Sequence, residues 1–147
     1  MPRTIAPRSS DTCRSHCPVN FVLETFGDKW TLLIIRDLMF KGKTTYGEFL
    51  QSAERIATNI LANRLQRLAE HGIIEKAFLP TNRSVPHYAL TQRGKDLLPV
   101  MIEITAWSAR HDPVTNTPGS FLEAYERDRD ALLTQLREQI HGTAPTD

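Results

Sequence analysis

The chain has 147 residues, 40% of them hydrophobic, with nine prolines and a formal net charge of +1. This length supports one domain with appendages and a real core, and no apolar run approaches the roughly 18 residues of a membrane span. Two cysteines, Cys13 and Cys17, are too few for a disulfide framework and suit a reducing compartment. Residues 1–16 read as a flexible polar tail. Met1 to Ser10 carries Arg3 and Arg8 without the apolar core of a signal peptide, so a cytoplasmic protein is expected.

In chain order, Pro18 to Phe26 reads as a short helix, opened by Cys17 or Pro18 and closed by Gly27. Lys29 to Phe40 reads as a second, with Trp30, Leu33, Ile34, Leu38 and Met39 facing a core, and Lys41-Gly42-Lys43 stops it. Thr44 or Thr45 caps a third helix over Tyr46 to Gln51, because a hydroxyl accepts a bond from the orphan N–H groups there. Ser52 to Ile56 is a turn. Ala57 to Glu70 is a fourth helix whose Ala57, Ile60, Leu61, Leu65 and Leu68 recur on one side and close on His71-Gly72. Two strands follow, Ile73 to Leu79 and His87 to Leu90, with Pro80 to Pro86 as the hairpin loop between them.

A longer helix is expected from Gln92 to His111, with Leu97, Leu98, Val100, Met101, Ile104 and Trp107 as its apolar side. Pro99 either kinks it or marks its true start. Asp112 to Pro118 is a linker, and Gly119 to His141 is read as one last helix. Its Leu122, Tyr125, Leu132 and Leu136 form a narrow 3/4 seam that needs a partner surface. A homodimer interface is expected there, with packing back on its own domain as the alternative.

Charge divides unevenly along this order. Residues 41–95 hold nine Lys and Arg against four Glu, a balance of +5, whereas residues 96–147 hold four Arg against nine acids, a balance of −5. One segment can face a polyanion while the other is repelled by it, as a DNA module attached to an assembly module requires.

The fourth helix carries the pattern that identifies the polyanion. Asn59, Asn63 and Gln66 cluster opposite its apolar side, and no carboxylate interrupts its first ten residues. An amide has both the donor and the acceptor that adenine presents in the major groove. Helix, turn, recognition helix and hairpin together describe a mostly α protein with a small β-hairpin, a winged helix-turn-helix. The N-terminal part of such a helix enters the groove, so Asn59, Ala62 and Asn63 are expected at bases, with Gln66 at the limit and Ala62 near a thymine methyl. Thr58 and Arg67 flank that face and suit phosphates. Thr45 and Tyr46 begin the preceding helix, whose N–H groups suit a phosphate, and Arg83 at the hairpin tip suits a minor groove. Arg64 falls nearer the core side, which leaves an ion pair and a phosphate contact both open.

Several stretches resemble the HxlR-type transcriptional regulators, a bacterial winged-helix group related to MarR. They are Cys17-Pro18-Val19, Gly27-Asp28-Lys29-Trp30 with Leu32 to Ile35, Tyr46-Gly47-Glu48-Phe49, Ile60-Leu61, Arg64-Leu65 with Leu68, and Gly72-Ile73-Ile74. Tyr88-Ala89-Leu90-Thr91, Gly94, Leu98-Pro99-Val100 and Trp107 continue the likeness in order. It covers about Cys17 to His111, and Ala57 departs from it, standing where the group often has a capping Ser. The resemblance implies a dimeric, cytoplasmic, DNA-binding repressor or activator whose first and last helices build N- and C-terminal dimer contacts. The organisation expected is a tail at 1–16, a DNA-binding winged helix-turn-helix at 17–111, and a linker with a dimerisation helix at 112–147.

Cys17 precedes Pro18 at the start of the first helix, where the helix dipole favours thiolate, and Arg14 and His16 add positive potential. The resemblance implies a sensor of oxidants or electrophiles at this position, with a half-buried structural cysteine as the alternative. Cys13, His16 and Cys17 lie close together, but a structural zinc site wants four ligands, so no metal and no cofactor is expected. No nucleophile–base pair, phosphate loop or carboxylate pair stands out, which argues against an enzyme. The leading reading is a sequence-specific regulator that acts on double-stranded DNA as a homodimer, with a small-molecule or oxidant effector and no membrane partner. The alternative is a winged-helix protein-interaction module without DNA binding.

Overall fold

The computed structural model describes residues 13–141, so most of the tail expected at 1–16 lies outside the described residues. The elements are α1 (Pro18–Phe26), α2 (Thr31–Phe40), α3 (Tyr46–Leu50), α4 (Thr58–Glu70), β1 (Ile74–Leu79), β2 (Asn82–Leu90), α5 (Gln92–Lys95), α6 (Leu98–His111), α7 (Gly119–Arg127) and α8 (Arg129–His141). Contacts divide the chain into two units on either side of the Gly94–Lys95 bond.

The first unit is the helix-turn-helix with its wing. Its core is built from Ile34, Ile35 and Leu38 of α2, Phe49 of α3, Leu61, Leu65 and Leu68 of α4, and Ile73, Ile74 and Leu90 around the sheet. Of the recurrence read in α4, Leu61, Leu65 and Leu68 form its buried stripe, while Ile60 is half-buried and Ala57 is exposed. Gly72 ends that helix at φ +70°, a conformation glycine adopts freely, while Ile73 N–H reaches back to Leu68 C=O at 3.0 Å. Arg55, in the turn before α4, holds φ +58° without that freedom.

Two boundaries in this unit differ from expectation by more than one residue. α2 begins at Thr31 rather than Lys29, because the Asp28 carboxylate accepts the backbone N–H groups of Trp30 at 2.8 Å and Thr31 at 3.0 Å. β2 begins at Asn82, not His87, so only Pro80 and Thr81 separate the strands. The antiparallel register runs from Ile74 opposite Leu90 to Phe78 opposite Pro86, then slips to Leu79 opposite Asn82. Arg83, Ser84 and Val85 bulge at that slip, and Pro86 sits beside it, where a missing N–H costs least. The base of the wing is also tied to the chain before α3. Tyr88 N–H donates to Thr44 C=O at 2.7 Å, and Thr45 bridges His87.

The second unit holds α6, α7 and α8, with Leu98, Met101, Ile102, Ala106, Leu132, Leu133 and Ile140 buried. The single helix expected over Gln92 to His111 is two, and Pro99 lies in the first turn of α6, so it marks a start. The last helix is likewise two. Asp128 leaves helical geometry at φ −159°, ψ 92°, and its carboxylate accepts Ala131 N–H at 3.0 Å, beginning α8 afresh.

Candidate nucleic-acid interface

The motif is held together by its own hydroxyls. Thr45 Oγ1 accepts Glu48 N–H at 3.3 Å and donates to the Glu48 carboxylate at 2.8 Å, a reciprocal cap that starts α3. Tyr46 Oη donates to Thr58 C=O at 2.8 Å and so fastens α3 to the first residue of α4. Both side chains thus have an internal task, whereas the phosphate contact expected here is one made by the N–H groups at the start of α3. Ala57 caps α4 with no side-chain bond, as its methyl dictates.

Turned away from the core, Thr58, Asn59, Ala62, Asn63 and Gln66 are all exposed on α4. The three amides differ in what they hold. Among the described residues nothing hydrogen-bonds Asn59. Asn63 Oδ1 accepts Arg64 Nη1 at 2.5 Å, and Gln66 Nε2 donates to Glu70 at 3.1 Å. The choice left open for Arg64 falls to the ion pair. Its Nε lies 3.2 Å from Asp28 Oδ1, without the alignment of a hydrogen bond. Arg67, expected at a phosphate, is half-buried and donates to Glu24 C=O on α1 at 3.3 Å.

Two carboxylates that composition did not reveal organise this unit. Partial burial would raise the Asp28 pKa, but the Thr31 hydroxyl, the N–H groups of Trp30 and Thr31, and Arg64 outweigh it and hold the carboxyl at about 2. Asp37 is 3% exposed. It accepts Arg36 Nη2 at 2.9 Å and the Ser52 hydroxyl, and lies 3.6 Å from Lys43 Nζ. Arg36 continues to Glu54 at 2.5 Å. Burial lowers the Arg36 pKa, yet the two carboxylates more than reverse that and keep it charged. A hint was present: Asp37 shares the inner side of α2 with Ile34 and Leu38. His71, at the end of α4, is held below its usual pKa by burial and by Arg67 and Arg93, against the opposing pull of Glu70.

On the wing, Arg83 is exposed in the bulge, and Lys76 lies over the exposed Phe78 ring at 5.7 Å. A cleft of about 470 Å³ separates wing from helix, with Ala62 and Gln66 on one wall and Lys76 and Tyr88 on the other. Cys17 is exposed at the start of α1, its N–H donating to Ser15 Oγ at 3.3 Å. Arg14 turns to Asn20 at 2.6 Å and to Glu24. Cys13 Sγ is 4.0 Å from His16 Nδ1. Among the described residues no group of three His, Cys, Asp or Glu is placed to hold a metal, and no helix is long and apolar enough to cross a membrane.

In the second unit, Leu132 is already buried within the single chain, while Leu122, Tyr125 and Leu136 are half-buried. Tyr125 Oη and Arg129 Nε both bind the Glu103 carboxylate of α6, at 2.7 and 2.5 Å. Sequence reasoning passed over Leu133 and Ile140, which are also buried. The break at Asp128 shifts which residues of α8 face inward. The exposed apolar stripe of this unit is instead Val100, Ile104 and Trp107 on α6.

A capped helix, a tight turn, a second helix with an exposed amide face and a two-stranded wing define a winged helix-turn-helix. Residues 25–115 match the HxlR-like helix-turn-helix family, and the chain belongs to it. The uncharacterized HTH-type transcriptional regulator sll1512 of Synechocystis is 36% identical over 86 residues, 58% of this chain and 63% of its own length. The match thus spans less than two thirds of that relative. The transcriptional regulator YodB from B. subtilis, in its reduced form, shares 30% identity at a TM-score of 0.56, over 69% of this chain and 100% of that one. Its quinone-bound form matches with 32% identity at 0.53, over 64% and 98%. The redox regulator HypR, in its oxidized form, shares 27% identity at 0.59, over 67% and 100%.

Proposed function

We propose that the chain binds double-stranded DNA sequence-specifically, as a cytoplasmic homodimer on a pseudo-palindromic operator. The observation that carries this is the α4 face, where Asn59, Ala62 and Asn63 stand exposed on a helix whose other side is core. These three meet base edges, with Gln66 beside them. Thr58 and the start of α3 at Thr45 and Tyr46 lie along the phosphates, and Arg83 reaches the neighbouring minor groove. Arg67 serves the phosphates only if it releases Glu24. Residues 17–111 act as the DNA-binding domain and 112–147 contribute to assembly.

Dimerisation draws support from apolar surface without cover in the single chain. Val19, Val22 and Leu23 are exposed on α1, as is the α6 stripe with Trp107 at 65%. Leu122, Tyr125 and Leu136 extend the assembly surface of the C-terminal segment. Cys17 is the candidate sensor. Its exposure supports reaction with an oxidant or electrophile, and the relatives include a redox regulator and a quinone-bound form.

The test is fluorescence anisotropy of the purified protein on its own upstream intergenic DNA and on a shuffled duplex, with sedimentation to give the mass of the free protein. Specific binding by a dimer is expected, and equal affinity for both duplexes sinks the regulator reading. Adding diamide to the wild type and to Cys17→Ser separates the sensor from its bland alternative. A loss of binding in the wild type alone supports sensing, and no change leaves Cys17 structural.

A further inference from the structure

The three amides of α4 are not equivalent readers, and the difference traces to a chain of contacts that starts outside the helix. Asp28 caps α2 through the N–H groups of Trp30 and Thr31, which fixes its carboxylate in place. Arg64 Nε meets that carboxylate at 3.2 Å, and the two side chains are only 22% and 21% exposed. Held beside Asp28 by this ion pair, the guanidinium turns its Nη1 to Asn63 Oδ1 at 2.5 Å. A planar fork with several donors can serve both partners at once, which a single ammonium cannot.

We infer that the Asp28–Arg64 pair biases Asn63 to read through its N–H donors, so that Asn63 specifies guanine at its base pair rather than adenine. The inference rests on the DNA-binding reading above. An asparagine recognises adenine by accepting from N6–H with Oδ1 while donating to N7 with Nδ2. Here Oδ1 already accepts a short charge-assisted bond. That bond takes one of the two lone pairs of Oδ1 and sets a cationic guanidinium beside it, which disfavours the N6–H donor of adenine there. The unoccupied N–H donors of the amide match guanine, the purine whose major-groove edge, N7 and O6, consists of acceptors alone. The adjacent guanidinium adds positive potential toward that same edge. Asn59, with no partner among the described residues, keeps both halves of its amide and remains an adenine reader. Arg64 is thus a positioning residue whose effect appears as base preference rather than as affinity.

The experiment selects binding sites from a randomised duplex library with the full-length wild type, Asn63→Ala, Arg64→Lys and Arg64→Leu. Comparing wild type with Asn63→Ala locates the base pair that Asn63 reads. Guanine is expected there for the wild type, by roughly tenfold over adenine. Arg64→Lys keeps the charge opposite Asp28 but cannot reach both partners, so preference at that one position should move toward adenine while the others hold. Arg64→Leu should move it the same way, and Arg64→Lys guards against misreading a folding defect in the Leu variant. Adenine at the Asn63 position in the wild type, or guanine retained in Arg64→Lys, overturns the inference and leaves the regulator reading intact. Absence of any enriched sequence for the wild type overturns both.

Discussion

Replacing Asp28 separates the two tasks its carboxylate performs. Asn caps a helix as well as Asp does, so Asp28→Asn removes the charge opposite Arg64 and keeps the cap, whereas Asp28→Ala removes both. A shift from 3.8 to about 2 corresponds to about 2 kcal/mol in the full-strength limit. Water and salt reach the pair, so about 1 kcal/mol survives. Losing the cap adds about 1 kcal/mol. Asp28→Asn should therefore lose about 1 kcal/mol and Asp28→Ala about 2 kcal/mol at neutral pH. The folded pKa lies below the unfolded one, so the charge contribution is complete above the unfolded value of 3.8 and disappears as pH falls through about 2. Urea denaturation followed by tryptophan fluorescence reads these losses, with Trp30 two residues from Asp28 as a reporter. Equal losses in the two variants, or a gap between wild type and Asp28→Asn that is unchanged in acid, would refute the reasoning.

Asn59→Ala should weaken operator binding by about 1–3 kcal/mol and leave random DNA unaffected, whereas Arg83→Ala should weaken every sequence alike and lower the salt slope by about 1. Titrations at several salt concentrations tell them apart, and equal loss on both duplexes for Asn59→Ala defeats its base-reading role. Gly94→Ala places a Cβ 2.2 Å from Ile73 C=O, a backbone atom with no room to yield. A loss of about 1–3 kcal/mol is expected, and an unchanged melting temperature contradicts the packing described. Removing residues 119–147 deletes Leu122, Tyr125, Leu132 and Leu136 and should weaken the dimer; a truncated chain that stays dimeric at nanomolar concentration and binds operator as before removes that segment from the interface.

What the sequence made legible was local. α1 was readable at both ends because Pro18 opens it and Gly27 closes it, and α4 because its leucines recur without interruption. Contacts between distant residues were not legible. The start of α2 depends on a side chain capturing two backbone N–H groups, while Lys29 and Trp30 look helical by propensity alone. The Glu-Arg-Asp-Arg-Asp run from Glu126 to Asp130 also passes for helix, and only the bond from Ala131 to Asp128 ends it. At the interface, spacing showed which residues of α4 face outward. It had no means of showing that Asp28 lies against Arg64, or that Glu24 C=O occupies Arg67.

Both ends of α2 are bolted to the reading head. Asp28 at its start grips Arg64 of α4, and Asp37 near its end grips Ser52 of the turn, with Arg36 carrying the link on to Glu54. Such a frame has few soft internal coordinates, and packed elements move more readily as whole bodies than they deform. On the proposed reading, a push delivered beside α1, where Cys17 sits and Glu24 holds Arg67, would travel through the frame and turn α4 as a unit. In the proposed dimer, a signal that enters this way would alter the spacing and angle at which two heads meet the duplex, and it would leave the spelling each head prefers untouched.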